Sequence, residues 1–135
     1  MSAVLLDTHA LSWFVMTPDK LGREAARIIE RAHGSGELQI SAFSFWEIAM
    51  HVDRGKMKLN LSPELWRAQV LGLGIQEIPL DGQIAIRAAG LMSFHADPAD
   101  RFIAATAQFH DATLVTADHA LLGWRTRLKR QDARK

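Results

Sequence analysis

Four carboxylates, Asp7, Glu47, Asp100 and Asp118, stand where an alternating strand–helix chain would bring its segment ends together. Asp7 directly follows the apolar run Ala3-Val-Leu-Leu6, and Asp118 follows Thr113-Leu-Val-Thr116 with one residue between. Glu47 and Asp100 fall in the first turns of helices expected to open at Ser44 and at Asp97-Pro98. In an open parallel sheet, strand C-termini and the following helix N-termini share one edge, where such folds bind ligands. Carboxylates gathered there repel one another unless a divalent cation neutralises them. Mg²⁺ and Mn²⁺ suit the task, because they take oxygen donors and keep several waters. Helix N-termini add partial positive charge that favours the ionised acids. A cation so held could activate a water and stabilise charge on a phosphodiester under attack.

Each acid also has an ordinary structural use. Ser44-x-x-Glu47 matches a capping box. Asp97-Pro98 matches an N-cap followed by Pro at the first helical position, with Asp100 placed well for the helix dipole. Asp7 and Asp118 could likewise be caps. Asp81, between the strand expected over Ile75–Ile78 and the helix opening at Gly82, has the same kind of position. Spacing therefore yields an acidic edge and does not choose its members.

The elements that must position these residues alternate along the chain. Strands are expected at Ala3–Leu6, Leu38–Ile40, Ile75–Ile78 and Thr113–Thr116, with a fifth at Trp124–Leu128. Apolar residues Leu21, Ala25, Ile28, Ile29 and Ala32 share one helical face, closed by Gly34-Ser-Gly36. Further helices are expected from Ser44, from Ser62-Pro63 to Gly72 or Gly74, from Asp81-Gly82 through Leu91, from Asp97-Pro98 to His110, and briefly after Asp118. Strands separated by helices imply a parallel sheet covered on both faces. With no repeat, low-complexity segment or linker, residues 1–135 read as one α/β/α domain with a basic tail from Arg125.

The composition, 48% hydrophobic and 23% charged, is that of a globular chain. No apolar run approaches the roughly 18–20 residues that span a bilayer, and the N-terminus reaches Asp7 too early for a signal peptide. With no cysteine, disulfides and Cys-ligated zinc are excluded. A cytoplasmic setting is expected. The net charge of +1 says little about nucleic acid, but Arg125, Arg127, Lys129, Arg130, Arg134 and Lys135 crowd the end against Asp132 alone. Such a tail either attracts phosphates or is a solvated, frayed terminus.

Four segments carry a family resemblance. Val4-Leu-Leu-Asp7-Thr-His-Ala-Leu-Ser-Trp13 resembles the opening of a PIN-domain ribonuclease of the VapC toxin family. Ser41-Ala-Phe-Ser-Phe-Trp-Glu47-Ile-Ala-Met50, His95-Ala-Asp97-Pro-Ala-Asp100-Arg-Phe-Ile-Ala-Ala-Thr-Ala107 and Leu114-Val-Thr-Ala-Asp118-His-Ala-Leu121 resemble its later acidic motifs, in the family's order. The resemblance implies a parallel sheet of about five strands, Mg²⁺ or Mn²⁺ as cofactor and RNA as substrate. It makes Asp7 and Asp100 direct metal ligands, and Glu47 and Asp118 the groups that complete the pocket. Asp97 reads as a residue behind the ligands or a cap, and Thr116 either holds a carboxylate or a water or satisfies local backbone. Asp81 matches no acidic motif and stays a cap. Arg101 would pair with a carboxylate or meet a phosphate. His9, His95 and His119 read as pocket walls or phosphate contacts, since no metal-binding histidine spacing is present. Hydrolysis by activated water would leave a 5′-phosphate. The resemblance further implies a homodimer and a VapB-type antitoxin lying in an apolar groove, for which Trp13, Phe14, Phe45, Trp46, Met50 and Trp66 are candidates.

Two rival readings come from other classes. A phosphatase or phosphotransfer domain would use Asp7 to accept phosphate, although the Asp-x-Asp of one such class is broken by His9. A catalytically idle PIN-like binding module would be expected to have lost an acid, and all four positions are acidic.

Overall fold

Every residue of β1 (Val4–Leu6) is buried, as expected of a strand covered on both faces. The computed structural model describes residues 2–91 and 98–135. β1 is the middle of a five-stranded sheet with β2 (Leu38–Ser41), β3 (Gln76–Ile78), β4 (Thr113–Thr116) and β5 (Arg130–Asp132), in the order β3-β2-β1-β4-β5. All pairings are parallel, and Leu5 sits opposite Gln39 on one side and Leu114 on the other.

Alternation along the strands sends side chains to both layers. Val4 and Leu6 of β1, Leu38 and Ile40 of β2 and Val115 of β4 join one cluster. They pack there against α1 (Thr8–Met16), α2 (Arg23–Gly34), α3 (Ala42–Asp53) and α4 (Pro63–Gly72), through residues such as Leu11, Ile29, Ile48 and Val70. Leu5 and Leu114 point the other way, to Ile103, Ala104 and Ala107 of α6 (Pro98–Phe109). Ala105 of α6 packs with Ile84 and Ala88 of α5 (Gly82–Ala89) under Ile78. α7 (His119–Gly123) adds Leu121 to the α6 side. The expected α/β/α domain with a five-stranded parallel sheet is the architecture found. No described helix is long and apolar enough to cross a membrane.

Three local expectations are corrected. α1 is additional to the expected helices: Leu11, Trp13, Phe14, Val15 and Met16 crowd it so fully that no polar face alternates with an apolar one. The fifth strand is Arg130–Asp132, not Trp124–Leu128. It is a half-buried edge strand of polar residues, and charge on an edge discourages pairing with other chains. α3 opens at Ser41, whose hydroxyl accepts from Phe43 N at 3.1 Å, rather than at Ser44. The start expected at Asp97 for α6 lies outside the described residues.

The basic tail is folded, not frayed. Ala133 N donates to Thr116 O at 2.8 Å, Gly22 N to Ala133 O at 2.8 Å, and Glu24 N to Lys135 O at 2.9 Å. Gly22, the side-chain-free N-cap of α2, permits this approach: a Cβ there would stand 2.2 Å from the Lys135 backbone. Gly22→Ala should therefore destabilise the chain by about 1–3 kcal/mol, the usual cost of overpacking. Denaturant midpoints measure it, and removal of the residues after Asp132 should abolish most of the difference between the parent and the Gly22→Ala variant.

Candidate active site

The strand order places a topological switch between β1 and β4, because β2 and β3 extend the sheet to one side and β4 and β5 to the other. The crevice beyond the C-terminal ends of those two central strands is where such a sheet offers a site. Asp7 stands at its centre. Its N–H donates to Val115 O at 2.9 Å, so it continues the β1–β4 pairing while its extended backbone opens α1. Oδ1 accepts from Thr8 N at 2.8 Å and Oδ2 accepts from Thr116 Oγ1 at 2.6 Å. Thr116 in turn accepts from Asp118 N at 3.0 Å. With its donor and an acceptor position both used, the Thr116 hydroxyl has a defined direction.

Asp118 caps α7, taking Leu121 N on Oδ1 at 3.0 Å. Asp81 does the same for α5, taking Ile84 N at 3.0 Å beyond the edge strand β3 and away from the switch. Capping and site membership are thus compatible: a cap occupies one carboxylate oxygen, and position in the sheet separates Asp118 from Asp81.

Glu47 lies in the second turn of α3, since Ser41 is the cap. The capping-box reading of Ser44 and Glu47 is therefore wrong. Both instead turn to Thr8, whose Oγ1 is 2.9 Å from Ser44 Oγ and 2.5 Å from Glu47 Oε1. Thr8 has one hydroxyl proton, and the carboxylate is the stronger acceptor; Thr8 donates to Glu47 and Ser44 completes the contact. Thr8 and Ser44 belong to the candidate site and have no place in the sequence reading of it. The available signal was the Asp7-Thr8 dipeptide together with a serine one turn before Glu47.

Asp100 is half-buried in the first turn of α6. That turn meets the start of α3 through Phe102 and Phe43, whose ring centroids are 5.2 Å apart. Asp97 and His95 lie outside the described residues. The neighbouring Arg101 is half-buried, and its Nε is a buried donor with no hydrogen-bond partner, a condition few native polar atoms tolerate. His9 and His119 are exposed.

Burial pushes the Asp7 carboxyl above its ordinary value of 3.8, against the pull of the Thr116 hydroxyl, the Thr8 N–H and His9, while the negative charge of Asp118 raises it further. Asp7 is only 8% exposed, and both groups bonded to its carboxylate are neutral. A divalent cation would supply the missing charge, and the surrounding donors are oxygens, as Mg²⁺ or Mn²⁺ requires. Among the described residues, no three His, Asp or Glu side chains converge tightly enough to enclose a metal. Mg²⁺ does not demand that, since it commonly rests on one or two carboxylates and fills its shell with water and substrate oxygens.

The proposed partner groove divides. Trp66 is core, at 4% exposed, with Phe45 edge-on to it at 6.2 Å. Trp13 and Phe14 are partly buried against the same core. Trp46 is 56% exposed. A separate groove of about 520 Å³ is lined by Val15, Met16, Leu59, Leu61 and Trp66. The basic tail divides too. Arg130 donates to the carbonyls of Leu121 and Trp124 and so shapes the loop after α7, while Arg134 donates to Ala117 O beside Asp118 at 3.0 Å.

An open α/β sheet with buried acid at its switch point defines a class; the relatives define the family. Residues 4–122 match the PIN domain. "Ribonuclease VapC22" of Mycobacterium tuberculosis is 35% identical over 122 residues, covering 90% of this chain and 91% of that one. VapBC2 from Rickettsia felis, bound to a DNA fragment from its promoter, superposes with a TM-score of 0.69 at 16% identity, over 96% of this chain and 97% of that one. DNA-bound VapBC from Salmonella typhimurium superposes at 0.67 with 20% identity, over 98% of each. These two structures share the fold. The chain belongs to the PIN-domain family, on its VapC branch.

The Asp7 shift has a thermodynamic consequence. With its folded pKa raised, the folded chain holds a proton that the unfolded chain has released, so metal-free stability falls as pH rises from the ordinary value of 3.8 through the raised one. Asp7→Asn removes that loss. The metal-free variant should be at least as stable as the parent at pH 8, with the gap closing toward pH 4, in thermal melts run with chelator. A variant much less stable at pH 8 would contradict the burial argument.

Proposed function

We propose that this chain is an Mg²⁺- or Mn²⁺-dependent endoribonuclease, the toxin of a toxin–antitoxin pair, with Asp7 and Asp100 as metal ligands and Glu47 and Asp118 completing the site. The carrying observation is the buried Asp7 carboxylate at the sheet's switch point, held by neutral donors and short of a positive charge. The ribonuclease reading draws on the 35% identical mycobacterial ribonuclease, whose match runs over 90% of the chain. Residues 1–135 act as one domain in this reading, in the cytoplasm where RNA is available.

A divalent cation at this edge supplies activation of a water and neutralises charge on the attacked phosphodiester. The chain's own residues prepare that reaction. Thr116 fixes the rotamer of Asp7 and favours its ionised form. Thr8 holds Glu47 at the edge by a hydrogen bond to its carboxylate, where that carboxylate would orient a water and take its proton. Arg101, with an unsatisfied N–H next in sequence to Asp100, contributes a donor to a phosphate oxygen.

A VapB-type antitoxin is the proposed partner, as the VapBC neighbours suggest, seated in the Val15, Met16, Leu59, Leu61 and Trp66 groove. A homodimer completes the proposed assembly.

Purified chain freed of antitoxin should cut RNA with Mg²⁺ or Mn²⁺, leave 5′-phosphate ends, and stop with chelator. Asp7→Asn and Asp100→Asn should each lower the rate by at least about a hundredfold, more than the loss typical for residues behind a ligand. Full activity in both variants would remove the metal-site assignment, and a phosphoenzyme on Asp7 would favour phosphotransfer instead. Thr116→Val deletes a donor that lowers the Asp7 pKa, so the acid limb of the pH–rate profile should move to higher pH. Thr116→Ser should restore it.

A further inference from the structure

Three aromatic rings line up beside the acidic edge. Trp46 and Phe43 lie with ring centroids 5.2 Å apart and planes tilted by 30°, and Phe43 meets Phe102 at 5.2 Å and 53°. Phe43 and Glu47 are one helical turn apart on α3, Trp46 adjoins Glu47, and Phe102 adjoins Arg101 and follows Asp100 by two residues. The row therefore connects the first two turns of α3, which carry Glu47, with the first turn of α6, which carries Asp100. Its outer member is open: Trp46 is 56% exposed, whereas Phe43 and Phe102 are partly covered.

We infer that Trp46, backed by Phe43 and Phe102, is a stacking platform for an unpaired nucleobase of single-stranded RNA next to the scissile phosphate; this rests on the ribonuclease reading above. A solvent-facing indole on a partly supported ring row is costly to leave bare, and an exposed aromatic face beside a phosphate site matches how proteins hold splayed bases. A phosphate flanking the stacked base lies on the side of Arg101, whose Nε is buried and without a partner. The aliphatic groove of Val15, Met16, Leu59 and Leu61 differs in kind and suits an apolar peptide better. Tight support of the indole by Phe43 limits the ordering cost when a base arrives.

The test uses the full chain carrying Asp7→Asn to prevent cleavage, with short oligoadenylate as probe and inorganic polyphosphate as an electrostatic control. Trp46→Ala should weaken oligoadenylate binding by about tenfold, the loss expected for one stacked base. Trp46→Phe should stay within about threefold, since a smaller ring still stacks. Polyphosphate binding should not change in either variant. An oligomer with an abasic residue at the contacted position should bind the Trp46→Ala variant and its parent equally. In otherwise native chain, Trp46→Ala should raise KM with kcat kept. Unchanged oligoadenylate affinity in Trp46→Ala overturns the platform, including the case where that variant instead loses a protein partner or a second copy of the chain. Equal losses for polyphosphate and oligoadenylate also overturn it, because they mark a charge or folding effect. If the native chain cleaves no RNA but base binding still depends on Trp46, the ribonuclease reading fails and the platform stands.

Discussion

The hydrogen bond from Thr116 to Asp7 joins residues 109 positions apart and closes the centre of the molecule. Asp7 ends the middle strand, caps the first helix and pairs through its backbone with β4; Thr116 ends β4 and, through Asp118 N, sets the start of α7. A carboxylate so buried costs free energy unless its lone pairs are met. Here hydroxyl and backbone donors meet them without cancelling the charge. The same contact that fastens two strand ends thus leaves the fold with an anion that wants a cation. Burial and this hydrogen bond pull on the Asp7 pKa in opposite directions, burial upward and the Thr116 hydroxyl downward.

Most of the architecture was legible because its cause is local. Short apolar runs separated by amphipathic segments can only become a sheet buried on both faces, and Leu5 and Leu6 facing opposite layers is that rule in one dipeptide. The failures are equally physical. α1 hides its period by being apolar nearly all round, and β5 hides by being polar at an edge, where no burial pattern is imposed. Gly22 could not be read as a contact for the last residue, because nothing in the local sequence says that a distant backbone will arrive at 2.2 Å from where its Cβ would be.

For the site, the sheet edge was readable and its wiring was not. Asp81 and Asp118 share a signature as N-caps, and apart from the family motif around Asp118 it is the strand order that tells them apart. Thr8 and Ser44 lie 36 residues apart and act as a pair across two helices, one of them without a sequence signal. Moving the start of α3 from Ser44 to Ser41 changes Glu47 from a residue serving its own backbone into one held by Thr8. A cap assigned three residues too late therefore conceals the contact between α1 and α3 at Glu47.

Charge alone cannot bring RNA to this edge. The chain carries a net charge of only +1, and the acids at the switch point would repel phosphates unless a cation reversed the local sign. Three of the six basic tail residues are engaged elsewhere. Arg130 binds carbonyls, Lys129 pairs with Asp111 before β4, and Arg134 is shared between Asp132 and Ala117 O. Lys129 also precedes β5, at the end of a parallel sheet opposite to Asp7. Apart from Arg101, affinity near the acids then draws on contacts that do not depend on attracting phosphate. Ring faces provide such contacts for every base without regard to sign, and Trp46, 56% exposed and next in sequence to Glu47, offers the broadest of them.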